Sequence, residues 1–156
     1  WFPIPEIDGS TIPNMMQALA TSEKLIIKLI DGYKKRFGLD TSDIVLLGFS
    51  QGCMISLNIG LRQLNNLGGV VGISGRLLMP ESLEESDKKS YPPVVLIHGD
   101  ADDVVPIDDS REIFALANEP KKIIEIPGAN HVFSEAGLEP MSEAVINWIG
   151  DTIRES

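Results

Sequence analysis

Residues 44–52 read Ile44-Val45-Leu46-Leu47-Gly48-Phe49-Ser50-Gln51-Gly52, an apolar β-like run that leads straight into a G-x-S-x-G pentapeptide. Further along stand the acids of His98-Gly99-Asp100-Ala101-Asp102-Asp103 and then a histidine in Gly128-Ala129-Asn130-His131. Serine, then acid, then histidine is the chain order that acyl transfer by a serine on an α/β sheet requires.

A serine hydroxyl is a weak nucleophile until a base takes its proton and its oxygen is held in the open. A sharp strand-to-helix turn supplies the second condition. Such a turn imposes strained dihedrals on Ser50 and brings strand and helix so close that small residues are needed two positions away, hence Gly48 and Gly52. The helix starting at Gln51 aims the N–H groups of its first turn and its positive dipole end at the site. The Gln51 backbone N–H is the expected donor to the oxyanion of a tetrahedral intermediate. His131 follows a β-run, and a histidine at the carboxyl end of a strand can reach a nucleophile on a neighbouring strand end as general base. Asp100, Asp102 and Asp103 all follow the run Val94–Ile97, and spacing alone does not choose which of them orients the imidazole. His98, at the end of that run, reads as structural.

Four β-like runs, 44–47, 69–73, 94–97 and 122–126, lack polar alternation, as befits strands buried on both faces of a parallel sheet. Helical patterns separate them. Met54, Leu57, Leu61 and Leu64 mark one, and Ile113, Phe114, Leu116 and Ala117 mark another, with Asp108-Asp109-Ser110 as its cap and first turn. Ala144, Val145, Trp148 and Ile149 mark the inward face of a last helix over 140–153. Before them, the proline-rich residues 1–13 read as an extended or looped lead, followed by a helix over 14–37. Its stripe is Leu19, Ile26, Ile30, Tyr33 and Phe37, with Asn14 as N-cap and Gly38 past its end. Residues 80–93 read as a charged surface excursion. The alternation of strand and helix argues a βαβ series with right-handed crossovers in a single domain over 1–156.

Composition narrows the function. With 23 acidic against 13 basic residues the net charge is −10, which repels phosphate backbones and makes nucleic acid an unsuitable partner. A single cysteine, Cys53, allows no internal disulfide and reads as a small buried residue, and a cytoplasmic location is expected. No apolar stretch reaches the length of a membrane span. The acids at 100–103 do not make a calcium loop, because Val104 and Val105 stand where that loop needs an oxygen ligand and a glycine. Two histidines and one cysteine form no zinc spacing, so no metal and no cofactor is expected.

These motifs carry a resemblance. Gly-Phe-Ser-Gln-Gly at 48–52, His-Gly-Asp-Ala-Asp-Asp-Val-Val-Pro at 98–106, Gly-Ala-Asn-His at 128–131 and the opening Trp1-Phe2 resemble the carboxylesterase / acyl-protein thioesterase / phospholipase family of α/β-hydrolases. The resemblance implies an α/β-hydrolase fold, a three-layer αβα arrangement with a mostly parallel sheet. It also implies a Ser50, Asp102, His131 triad, because the family's acid stands three residues after the glycine of H-G-x-x-D. Ser74-Gly75 resembles the pair bordering the family's acyl pocket, which makes Ser74 a substrate-binding candidate. The implied substrates are esters or thioesters, among them acylated proteins and lysophospholipids. Two departures accompany it. Cys53 stands where a second glycine is common. The family's first strands and a histidine-glycine loop with the second oxyanion donor precede its Trp-Phe pair, so the expectation is an N-terminally truncated fold. Residues 44–47 then form a sheet edge covered by a missing segment, another chain or a second copy, and one absent donor costs roughly a hundred- to a thousand-fold in rate. The alternatives are an impaired fragment acting by binding or oligomer completion, and a dienelactone-hydrolase-like enzyme, against which a serine at position 50 argues.

Overall fold

The structure is a computed structural model, described over residues 1–80, 91–134 and 137–155, with backbone alone for residues 6, 7 and 153–155. It forms two compact units, Trp1–Asp40 and Thr41–Ser156.

In the first unit a short helix, α1 (Pro5–Asp8), ends at Gly9 in the left-handed region at φ 69°. Asp8 fastens this turn, accepting the N–H groups of Ile4 at 3.0 Å and Ser10 at 2.9 Å. The long helix α2 (Ile12–Phe37) therefore begins two residues earlier than the sequence suggested. Thr11, not Asn14, is its N-cap, accepting the Asn14 N–H at 3.4 Å, and Pro13 sits in the first turn, where its missing N–H costs nothing. Gly38 closes it at φ 67°. Leu19 and Ile30 are buried as expected, but Tyr33 and Phe37 are exposed and stack on each other with centroids 5.8 Å apart.

The second unit opens with a 3₁₀ turn (Thr41–Asp43) and builds a sheet from β1 (Val45–Phe49), β2 (Gly69–Ile73), β3 (Val94–Gly99) and β4 (Lys121–Ile126). Among the described residues these four strands pair in the order β1-β2-β3-β4, all parallel. Parallel neighbours need crossovers. Helices α3 (Gln51–Arg62) and α4 (Ile107–Leu116) provide two of them, and α5 (Leu138–Glu155) follows β4. Residues 81–90, most of the expected charged excursion, lie outside the described residues.

The pleat sorts the core. Val70, Val94 and Leu96 point to one face and pack with Cys53, Leu57 and Leu61 of α3 and Ile113 of α4. Val71, Ile73, Val95 and Ile97 point to the other, where Met141, Val145, Trp148 and Ile149 of α5 cover them. That is the three-layer α/β-hydrolase architecture. Truncating a fully buried side chain such as Leu57 or Ile97 costs about 2–5 kcal/mol.

Three details differ from the sequence reading. Strand β1 runs to Phe49 because pairing continues through Gly48↔Gly72 and Phe49↔Ile73. Only β2 and β3 are buried throughout. The outer strand β1 leaves Leu47 51% and Phe49 43% exposed, so among the described residues it is an edge. Helix α4 starts after Pro106 with no side-chain cap, and Ser110, read as part of a cap, is buried within it.

Cys53 is 1% exposed and burial pushes its thiol up to about 12, against a weaker opposing backbone hydrogen bond at Ile73. A thiol reagent should leave the native protein unmodified and titrate one thiol after unfolding. Reaction of the native protein at the unfolded rate would contradict this packing.

Candidate active site

The turn from β1 into α3 holds Ser50 at φ 51°, ψ −115°, a conformation that costs a non-glycine residue of order 1–3 kcal/mol. Three contacts impose it. The Ser50 N–H donates to the carbonyl of Ile73 at 2.8 Å, its carbonyl accepts from Met54 N–H at 3.2 Å, and Gly48 backs onto Gly52. A Cβ on Gly48 would lie 2.1 Å from the Gly52 carbonyl oxygen. Gly75 faces the same constraint, since a Cβ there would meet Cβ of Cys53 at 2.4 Å and Sγ at 2.5 Å. The small residues around Ser50 thus follow from how tightly the helix is drawn onto the strand ends. Gln51 is the first residue of α3.

His131 sits in the loop after β4. Gly128, at φ 70°, turns the chain, and its N–H donates to Asp100 Oδ1. The Ala129 carbonyl accepts from Ala101 N–H at 3.1 Å. Asn130 Oδ1 accepts Ser134 N–H at 3.0 Å while its amide donates to Ser134 Oγ at 2.7 Å. The buried Phe133 anchors the loop in the core. On this loop His131 Nε2 lies 3.0 Å from Ser50 Oγ, and Nδ1 lies 2.8 Å from Asp102 Oδ2. The ring of Phe49 leans on the imidazole with centroids 5.1 Å apart. Ser50, His131 and Asp102 meet although 81 residues separate the first two along the chain.

Among the three candidate acids, geometry separates the roles. Asp100 ties down the histidine loop, Asp103 is exposed, and Asp102 faces His131. The Asp102 side chain is fully shielded. Burial pushes its carboxyl upward. The N–H of Val105 at 2.8 Å, the hydrogen bond from His131, the N–H of Val104 at 2.9 Å and the charge on His131 together outweigh that and hold it below the ordinary 3.8.

Ser74, just after β2, has φ 47° and is wholly buried, and its hydroxyl has no hydrogen-bond partner among the described residues. His98 is also fully buried, with Nδ1 2.7 Å from Ser110 Oγ and Nε2 2.9 Å from the Val105 carbonyl. The sequence reading missed the parts of Ser110, Asn130 and Phe49. The Asn-x-x-x-Ser spacing at 130–134 was a visible turn signal, whereas nothing local marks Ser110.

A family model described as phospholipase/carboxylesterase matches residues 1–148. The chain belongs to the phospholipase/carboxylesterase family. Within that family it is 28% identical to acyl-protein thioesterase 1 of Yarrowia lipolytica over 99% of this chain and 69% of that protein. It is 34% identical to acyl-protein thioesterase 1 of Gibberella zeae over 71% of this chain and 50% of that protein. Among solved structures, esterase PE8 superposes with a TM-score of 0.76 at 29% identity, over 94% of this chain and 69% of that one. SOBER1 of Arabidopsis thaliana, at 21% identity and a TM-score of 0.75, shares the fold. The chain thus spans from half to about seven-tenths of these relatives. No helix among the described residues is long and apolar enough to cross a membrane.

Gly48→Ala should destabilise the protein strongly, because backbone rather than a flexible side chain occupies the space its methyl needs. Thermal unfolding checks this, and a variant melting with the parent would contradict the contact. Asp102 also links stability to pH. Its folded carboxyl titrates below the unfolded value, so its contribution is complete above 3.8 and is lost as the pH falls through the lower folded value. The stability gap between the parent and Asp102→Asn, measured by denaturant unfolding, should hold from neutrality to that point and then shrink. A gap that widens on acidification would reverse the sign.

Proposed function

We propose that the chain is a serine hydrolase that cleaves carboxylic esters or thioesters through Ser50, His131 and Asp102 by way of an acyl-enzyme. The observation carrying this is the unbroken line from Ser50 Oγ through the His131 ring to Asp102, at 3.0 and 2.8 Å. Its kinship with proteins called acyl-protein thioesterase 1 and with an esterase supports the substrate class.

The chemistry follows from the geometry. His131 Nδ1 faces a carboxylate that can only accept, so Nδ1 carries the proton and Nε2 has its lone pair toward Ser50. As Ser50 Oγ attacks the acyl carbonyl, Nε2 takes the hydroxyl proton, and the imidazolium is stabilised by the shielded Asp102. The oxyanion that forms takes a hydrogen bond from the Gln51 backbone N–H at the head of α3, where the helix dipole adds to it. His131 then hands its proton to the departing alcohol or thiol, which leaves Ser50 acylated. Water, deprotonated by the same nitrogen, repeats the sequence and frees the acid. Ser74 would back the acyl pocket from within the fold. The open edge of β1, with Leu47 and Phe49, is where a further segment or a second copy would pair.

A fluorophosphonate probe and p-nitrophenyl esters of graded acyl length test this reading. Labelling should occur at Ser50 and vanish in Ser50→Ala, and Asp102→Asn should cost roughly four orders of magnitude in kcat by leaving the wrong tautomer. The rate should climb with pH as the imidazole loses its proton, and a flat profile would remove His131 as the base. Probe labelling that persists in Ser50→Ala would overturn the assignment.

A further inference from the structure

The second histidine of the chain touches the same carboxylate. His98 Nε2 lies 3.1 Å from Asp102 Oδ2, the oxygen that also receives His131 Nδ1. Both His98 and Asp102 have fully shielded side chains. The same Nε2 is 2.9 Å from the Val105 carbonyl oxygen. A carbonyl cannot donate, so Nε2 carries a proton and gives it to Val105, with Asp102 Oδ2 close beside it. On the other side of the ring, Nδ1 is 2.7 Å from Ser110 Oγ. The Gly75 carbonyl stands 3.5 Å from that hydroxyl, so the single hydroxyl proton goes to the nearer acceptor, Nδ1. A buried serine on α4 thereby selects the tautomer of a buried histidine on β3.

We propose that His98 is a positioning residue for the acyl-transfer site, acting through Asp102 and itself oriented by Ser110. This rests on the serine-hydrolase reading of Ser50, His131 and Asp102. Oδ1 of Asp102 takes the N–H groups of Val104 and Val105, Oδ2 takes His131 Nδ1–H, and His98 Nε2 stands 3.1 Å from Oδ2. Three hydrogen bonds thus hold the carboxylate, with the His98 ring packed against it. The two N–H groups on Oδ1 belong to the 102–105 turn itself and fix the carboxyl only relative to that turn. His98 ties the turn to the sheet, because its one N–H donates to the Val105 carbonyl at the end of the turn while its ring lies against the carboxylate. That tie sets where Oδ2 stands when the His131 ring arrives from a different loop.

Asp100, on the same loop, is held by Gly128 N–H, and Glu125 of β4, the register partner of His98, is paired with Arg111 of α4. Glu125 also feels a charge on His98, so the effect of a change at His98 on the site is read at the His131 ring itself.

Three variants test the proposal. His98→Phe fills the space without donating, and Ser110→Ala removes only the hydroxyl that orients the ring. His98→Gln returns an N–H at the reach of Nε2. In His98→Phe, kcat should fall about tenfold to a hundredfold as the carboxylate loses its support, with KM little changed. Ser110→Ala should show a smaller loss in kcat, and His98→Gln should recover a large part. The Nδ1–H proton resonance of His131, which reports its hydrogen bond to Asp102, should move in His98→Phe as the carboxylate loses its support. A resonance that stays in place in folded His98→Phe would overturn the proposal, as would a kcat within twofold of the parent. The resonance needs no turnover, so it judges His98 even if the probe and ester assays were to fail the serine-hydrolase reading.

Discussion

Everything at the site depends on a contact too close for a side chain. Gly48 at the end of β1 lies against the carbonyl of Gly52 in the first turn of α3, and a methyl at Gly48 would sit 2.1 Å from that oxygen. Because strand and helix approach this far, the residue between them must turn through φ 51°, which lifts its hydroxyl clear of both. The same approach draws α3 over the sheet, so that Cys53, Leu57 and Leu61 reach Val70, Val94 and Leu96. Fold and chemistry share one cause here. The burial of these apolar side chains along one sheet face holds a strain that no local interaction would sustain.

The opposite end of the constellation is governed by electrostatics. A carboxylate removed from water is costly unless its lone pairs are met. Asp102 meets that requirement with backbone N–H groups of its own turn and with the His131 imidazole from a separate loop. The outcome is a shielded charge with one orientation, which in turn gives His131 one tautomer. The histidine loop is secured independently, by Asp100, by the Asn130–Ser134 pair and by Phe133 in the core. Each side chain of the line is therefore held by a different part of the sheet's carboxyl end as well as by its neighbour in the line.

Much of this was legible along the chain. The runs at 69–73 and 122–126 became β2 and β4 within a residue, because strands in a parallel sheet are written as short apolar blocks between turn residues. The inward face of α5 was legible from its spacing alone. Boundaries were less so. Thr11 displaced Asn14 as the cap of α2 because the turn ahead of it, closed by Asp8 and Gly9, delivers the chain in helical direction two residues sooner. Ser110 looked like a cap because serine after two aspartates favours a helix start, yet Pro106 had already begun the helix and left the hydroxyl turned inward to His98.

By itself the sequence determined the alternation of strand and helix, the serine held between two glycines, and the order in which acid and histidine follow it, since each of these is written in residue types within a few positions of one another. Only tertiary structure decided which of three neighbouring aspartates faces the imidazole, and that a histidine four residues before it packs against its oxygen. Asp100, Asp102 and Asp103 are equal as side chains. They differ in direction, and direction at the end of β3 is set by β4's pairing beside it and by α4's packing beneath it.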